Sequence, residues 1–495
     1  MRFFLKLRNT LLAAFVLVVG PVLLSSALTA LPAGALPQLS GSAAAQAAAP
    51  KLPVLNSEAR AWIVVDGASG FVMGSHNADL PVNPGDLVQL MTLYTALEMI
   101  GGDASRLDEP VTISARDSLR PLSARRLYLV AGEKTPLKTL LNGIAVVAAE
   151  DAALAVADHL AGSPEAFADK MNEAARAIGM RHSKFVSPID AREQQTTAHD
   201  LATLAMALYK RHPEAYAWFS QREFAFTNHT QRNRNLMLWK GEGINGVMGN
   251  AENTDLVSSW HRPAANSEGA VARDIFSVLI GGRNADLSTN DMLALLRFGR
   301  LEFETIRLFE ADTTIKKIDI LTGNRDELAV GSDKPIWVTV RRQDIVARGT
   351  GGFSTTFEYM APAIAPVSKG DPMGTLHVYF RNKPVADFTL VAMHDVGPGS
   401  FLSRFVDSVR LRMKPADEQK KTVTSAAAPE DKKAEQKTQK PAQNAAHEEA
   451  ATAVKPQAAA QSAKPSTSST SSTSVSEHAK SAAPDKKPVQ DKKDS

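Results

Sequence analysis

The chain has 495 residues, with 56 Lys and Arg against 53 Asp and Glu, a formal net charge of +3 and no cysteine. That length allows two or three domains. A charge so near neutral gives nucleic acid no electrostatic footprint, and the lack of cysteine excludes disulfides, thiolate metal sites and a Cys nucleophile.

The chain opens on the basic "MRFFLKLRNT", continues with the apolar "LLAAFVLVVGPVLLSSALTAL", and then offers an A-x-A cleavage site ending at Ala47. Residues 1–47 read as a secretory signal peptide. The apolar run is also long enough for an uncleaved anchor, at about 20 residues per span. Either reading places everything after about residue 50 outside the cytoplasm.

A first globular block spans 55–310. "RAWIVVDGASGFVMGSHNADLPVNP" alternates, turns at "DGASG" and alternates again, which predicts a β-hairpin. Helical spacing follows over Leu87 to Ile100, Leu137 to Ala161, Pro164 to Ile178 and Thr197 to Lys210. Strand-like "DLVSSW" and "DIFSVLIGG" come next, then the helical "NDMLALLRFGRLEFET". Strands at both ends with helices between predict one antiparallel sheet with helices packed on it, an α/β (α+β) domain. A second block, 311–396, holds short alternating strands separated by turn residues, the pattern of a small all-β sandwich.

Residues 397–414 place Phe401, Leu402, Phe405, Val409 and Met413 at helical spacing with basic flanks. Two readings fit: an amphipathic helix lying on the inner-membrane surface, or a helix packed on its own domain. Residues 415–495 contain no aromatic, Leu, Ile or Met. Such a segment cannot bury enough apolar surface to offset its ordering entropy, so a disordered Ala/Lys/Ser/Pro-rich tail is expected.

From about Arg60 to Lys414 the chain resembles the serine-type D-Ala-D-Ala carboxypeptidases, the low-molecular-weight penicillin-binding proteins that trim peptidoglycan stem peptides. The likeness is carried by "VVDGASGFVMGSHNADLPVNP", "DAALAVADHLAGSPEAFADKMNEAARAIGM", "TTAHDLATLAMAL", "RNRNLMLW", "INGVMGN" and "FSVLIGGRN", in family order. It implies a penicillin-recognising, β-lactamase/transpeptidase-like domain, then a β-sandwich and a membrane-lying helix.

The family's chemistry uses Ser-x-x-Lys at a helix start for nucleophile and base, Ser-x-Asn for proton transfer and substrate amides, and Lys-Thr-Gly on an edge strand for the substrate carboxylate. Every matching position here is altered. The first motif reads Pro84-Gly85-Asp86-Leu87-Val88-Gln89, with Asp86 for the nucleophile and Gln89 for the base. The second reads Ala148-Ala149-Glu150, followed by an intact Asp151-Ala152, and the third reads Met248-Gly249-Asn250. No Ser-x-x-Lys and no Lys-Thr-Gly occurs anywhere in the chain.

The resemblance therefore implies a pseudoenzyme with no catalytic residues, acting as a binding or scaffold protein on peptidoglycan or cell-wall proteins. Two alternatives stand beside it. One is residual serine-type carboxypeptidase activity, or hydrolysis by the carboxylates Asp86 and Glu150. The other is a tethered adaptor that works through its tail. A cleft with Asp86 and Glu150 and neither Lys is expected to repel an anionic stem peptide. Asp86 is expected at the N-cap or in the first turn of the first helix, where its carboxylate meets unpaired amides and the positive helix end. Arg234, in "RNRN", is a candidate substrate contact or a structural arginine. The His residues show no metal-ligand spacing, and neither a metal nor another cofactor is expected.

Overall fold

Five strands form one antiparallel sheet: Ala61–Asp66 (β1), Val72–His76 (β2), Ile244–Gly249 (β3), Leu256–Arg262 (β4) and Arg273–Ile280 (β5), in the order β2-β1-β5-β4-β3. The structure is a computed structural model. It describes residues 57–118, 125–233, 235–241, 243–263, 272–346, 352–400 and 420–426. The signal or anchor segment 1–47, Arg234, residues 401–419 and the tail from 427 lie outside the described residues.

All six residues of β1 are buried, because the sheet is covered on both faces. Ile63 and Val65 pack among the helices of one face, and Trp62 and Val64 pack against the helix of the other. This two-sided burial explains a near-continuous apolar run where a half-exposed strand would alternate. Helices Val88–Ile100 (α1), Leu137–Val147 (α2), Glu150–Ala161 (α3), Pro164–Ala177 (α4) and Ala198–Arg211 (α5) make the first layer, and Ala285–Glu302 (α6) makes the other. Helix α1 is buried almost all round, the pattern of a central helix.

Two details differ from the sequence reading. The single helix expected over Leu137 to Ala161 is two. Ala148 adopts φ 55°, caps α2 in the left-handed region, and turns the chain into α3. No Gly or Pro marks that break, so periodicity runs straight across it. The helix read through "LRFGRLEFET" stops at Glu302, and Phe303–Phe309 (β6) is a strand.

Strand β6 pairs antiparallel with Ile336–Arg341, inside the second block. There, Thr313–Leu321 (β7), Glu327–Ser332 (β8), Ile336–Arg341 (β9), Phe353–Met360 (β10), Pro372–Phe380 (β11) and Lys383–Ala392 (β12) share one apolar core. The larger sheet runs β7-β8-β12-β11-β10, and the β6–β9 pair packs across it as the second layer of a β-sandwich. Within the stretch read as an unstructured tail, Lys420–Ala426 (β13) pairs antiparallel along β10. A strand added to an existing edge borrows that sheet's ladder and needs no core of its own.

The inner-membrane contact expected of residues 397–414 is not upheld. Among the described residues no helix is long and apolar enough to cross a membrane. The described part of that stretch, Gly397 to Ser400, is irregular backbone sewn to the sandwich. Asn324 N donates to Gly397 O (3.0 Å) and Gly399 N to Thr322 O (2.7 Å).

The two domains meet at Asp66, which is fully buried. Its Oδ1 accepts from the amides of Ala68 (3.1 Å) and Ser69 (2.9 Å), closing the "DGASG" turn, and its Oδ2 accepts from Thr305 Oγ1 of β6 (2.5 Å). A hydrogen bond to a buried carboxylate contributes about 1.5–3 kcal/mol. Thr305→Val keeps the shape and removes the donor, so a loss of about 2 kcal/mol is expected in urea unfolding. An unchanged midpoint would show that the junction does not depend on this bond.

Candidate functional site

Three segments that the sequence singled out converge at one end of the sheet: the start of α1, the α2–α3 turn and the end of β3. Gly85 (φ 52°) allows the tight entry to α1, where Gly85–Leu87 forms a single 3-10 turn. Asp86 sits in that turn. Of the two places expected for it, it takes the opening turn and not the cap: its side chain caps no helix amide, and α1 begins on Leu87 without a side-chain cap. The carboxylate turns instead toward the end of β3. Asp86 Oδ2 accepts from Ala251 N (3.0 Å) and lies 2.9 Å from Nη2 of Arg125.

Arg125 is the residue that the motif reading missed. Its side chain is 7% exposed, against 20% for Asp86, and its Nη1 donates to Gly249 O (3.2 Å). A guanidinium thus bridges the first-motif and third-motif segments. Beside the acids expected there, Asp86 and Glu150, the site holds a buried cation that the sequence reading did not name, and Asp86 is paired with it.

Gln89 lies in the first turn of α1 and is 1% exposed; its Nε2 donates to Ala148 O (2.8 Å). Ala148 is itself buried and offers no protonic side chain. Glu150 opens α3, where a negative charge is favoured by the helix dipole, and its amide donates to Arg125 O (2.8 Å).

Asp151 explains the intact Asp-Ala pair. It is 1% exposed and accepts from Leu127 N (2.9 Å), Leu129 N (3.2 Å) and Ala152 N (2.8 Å). Burial pushes its carboxyl above the ordinary range, and the backbone amides oppose that. This carboxylate fixes the segment that begins at Arg125, so it positions the guanidinium from behind.

On β3, Met248 is 3% exposed and belongs to the apolar core. Asn250 makes the next turn: its Oδ1 accepts from Thr254 N (2.8 Å) and Asp255 N (3.1 Å), and its Nδ2 donates to Thr254 Oγ1 (2.9 Å). That turn presents Ala251 N to Asp86. A cavity of about 10 Å³ remains beside Arg125, lined in part by Asn233, Asn235 and Met248. That is room for roughly one water molecule. Asn235 caps the short turn after "RNRN" by accepting from Met237 N (3.0 Å), so one polar residue of that motif has a structural task.

Asp190 and Asp255 lie within electrostatic reach. Burial pushes both carboxyls up, and the negative charge of Asp86 adds to the rise in each. Among the described residues no group of three or more His, Asp or Glu could hold a metal ion.

One other cluster has the residue types of a hydrolase. Ser259 Oγ is 2.8 Å from His261 Nε2, and His261 Nδ1 is 2.9 Å from Asp274 Oδ1. Ser259 is fully buried and its Oγ also meets Tyr216 Oη (2.7 Å). A nucleophile must reach substrate, and this hydroxyl cannot. The chain Tyr216–Ser259–His261–Asp274 ties strands β4 and β5 to the segment after α5.

A family model described as D-alanyl-D-alanine carboxypeptidase matches residues 44–254, and one described as penicillin-binding protein 5, C-terminal domain, matches residues 303–398. The chain is 30% identical over 364 residues to D-alanyl-D-alanine carboxypeptidase DacC of Escherichia coli K12, covering 72% of this chain and 88% of that one. It is 27% identical over 381 residues to DacA of the same organism, covering 73% and 89%. Penicillin binding protein 5 of Haemophilus influenzae shares the fold, with a TM-score of 0.61 at 24% identity, over 69% of this chain and 98% of that one. With both domains matched in order and most of each relative's length covered, the chain belongs to the D-alanyl-D-alanine carboxypeptidase family.

Proposed function

We propose that this protein is a non-catalytic member of its family, exported to the periplasm, which binds or organises peptidoglycan or cell-wall proteins without acyl transfer. The observation that carries the reading is the ion pair between Asp86 and the buried Arg125, 2.9 Å long, across the place where the family's nucleophile stands. Serine acyl transfer needs a hydroxyl, a base beside it and a cationic seat for the substrate carboxylate. Here the hydroxyl position is a carboxylate already ion-paired with Arg125 and hydrogen-bonded by Ala251 N. The base position is an amide spent on Ala148 O, and the third-motif cation is a core methionine. Removing nucleophile or base costs a triad enzyme on the order of 10⁴ to 10⁶ in rate. The same ion pair weighs against acid–base hydrolysis by Asp86 and Glu150, because Asp86 is engaged with Arg125.

Fluorescent penicillin is therefore expected to leave the protein unlabelled while purified sacculi retain it. A band that survives denaturation and vanishes in Asp86→Ala would overturn the non-catalytic reading. Failure to sediment with sacculi would remove peptidoglycan as the partner.

A further inference from the structure

We infer that the outer edge of β10 is an assembly edge through which two copies of this chain pair, and that in the single chain its own β13 covers that edge. The edge belongs to the β-sandwich, so its behaviour is independent of the chemistry at Asp86.

Strand β13 is not part of the domain it covers. The family model for this domain ends at residue 398, and the sandwich core is complete by Val396. Lys420–Ala426 nevertheless runs antiparallel along β10, from Ser354 opposite Ala426 to Met360 opposite Lys420, with no break in register. Without β13, β10 would be the last strand on its side of the sheet.

A strand that ends a sheet usually carries its own defences: lysines, a proline, or an irregularity that interrupts the ladder. Strand β7, toward the other side of the sheet, has two of these. It holds Lys316 and Lys317, and its register against β8 shifts between Thr314 and Lys316. Strand β10 has none. "FSTTFEYM" contains no Lys and no Pro, and its pairing with β11 runs from Phe353 to Tyr359 without a shift. Phe353, Thr355, Phe357 and Tyr359 are buried in alternation, which fixes the strand and leaves its free backbone regular. Such an edge pairs with any extended chain that reaches it.

A second copy fits that edge. Two β10 strands meeting antiparallel about a two-fold axis make an isologous contact. An axis at Thr356 sets Glu358, the one charged residue of β10, opposite Ser354 and not opposite its own copy. In the intact chain the cover prevails because it is tethered: residues 401–419 join it to the sandwich. A strand attached in this way competes at an effective concentration of roughly millimolar, so a second copy at about ten micromolar is outcompeted about a hundredfold.

The test is sedimentation velocity over a concentration series. It compares the wild-type chain, the full-length Thr422→Pro/Val423→Pro variant, a chain ending at Lys414, and that shorter chain with Ser354→Lys/Thr356→Lys. Successive residues of a strand point their N–H groups to opposite sides, so one of the two prolines removes a donor that faces β10. Both uncovered chains should dimerise about a hundredfold more tightly than wild type. A synthetic Lys420–Ala426 peptide at roughly millimolar concentration should return the shorter chain to monomer. The two lysines on the edge should keep it monomeric without the peptide. If the shorter chain is too unstable to purify, the proline variant keeps the full length and is read in the same way.

Monomeric behaviour of both uncovered chains would overturn the inference, and so would a wild-type chain that dimerises as tightly as they do. Dimers that ignore the peptide or survive the edge lysines would place the contact elsewhere and overturn it too. A shorter chain that binds the peptide but stays monomeric would rule out the second copy as the occupant of this edge.

Discussion

Asp151→Ala is expected to lower stability by about 3–5 kcal/mol and to release the segment that starts at Arg125. The carboxylate is 1% exposed and serves three backbone amides, those of Leu127, Leu129 and Ala152. Deleting it leaves those donors buried without an acceptor, at about 1–3 kcal/mol each, part of which is recovered by local relaxation and water entry. Asp151→Asn should be milder but still harmful. An amide keeps one acceptor and turns its NH₂ toward groups that only donate. Urea unfolding gives the energies, and hydrogen exchange at residues 125–129 reports the segment. Slow exchange there in Asp151→Ala, with a wild-type midpoint, would show that the segment is held by something else and that Asp151 does not position the guanidinium.

The contrast between Asp151 and Arg125 marks what could be read before the structure. The fold was legible because its signals are local and repeated. Alternation gave the hairpin of β1 and β2, and the sandwich strands showed the same period. Five of the helices lie where the 3.6-residue spacing put them. The α2–α3 break was not legible, since an alanine takes the left-handed conformation there without a glycine to announce it. The site positions Asp86, Gln89, Ala148, Glu150 and Met248 to Asn250 were found by resemblance, and the structure brings them together. Arg125 carries no motif. Only tertiary packing sets it against Asp86, 39 positions earlier in number but 2.9 Å away in space. The sequence showed only an intact Asp-Ala pair beside a degenerate motif; that Asp151 is buried and holds the segment containing Arg125 is visible only in the structure.

Rebuilding the first family motif alone, by Asp86→Ser with Gln89→Lys, is expected to yield no turnover and to destabilise the chain by about 3–5 kcal/mol. Asp86→Ser takes the carboxylate from a guanidinium that is nearly buried, and breaking a buried pair from one side costs about that much. Gln89→Lys puts an ammonium at a position 1% exposed and gives up the amide bond to Ala148 O. Desolvation and the cation of Arg125 both disfavour the charged amine, so its pKa is expected to fall. The third motif resists independently. Met248→Lys would bury a charge in the core, and a Cβ at Gly249 meets Leu256 Cδ2 at 2.9 Å before the branch of a threonine is added. Asn250→Gly removes the side chain that closes the following turn. Adding Ala148→Ser and Glu150→Asn completes the family pattern in letters but leaves Arg125 in the cleft. Release of D-alanine from a pentapeptide stem is therefore expected to stay undetectable until Arg125 is also replaced by a small residue. Measured turnover in the double variant with Arg125 still present would show that the guanidinium does not block acyl chemistry, and the ion pair would no longer support the non-catalytic reading.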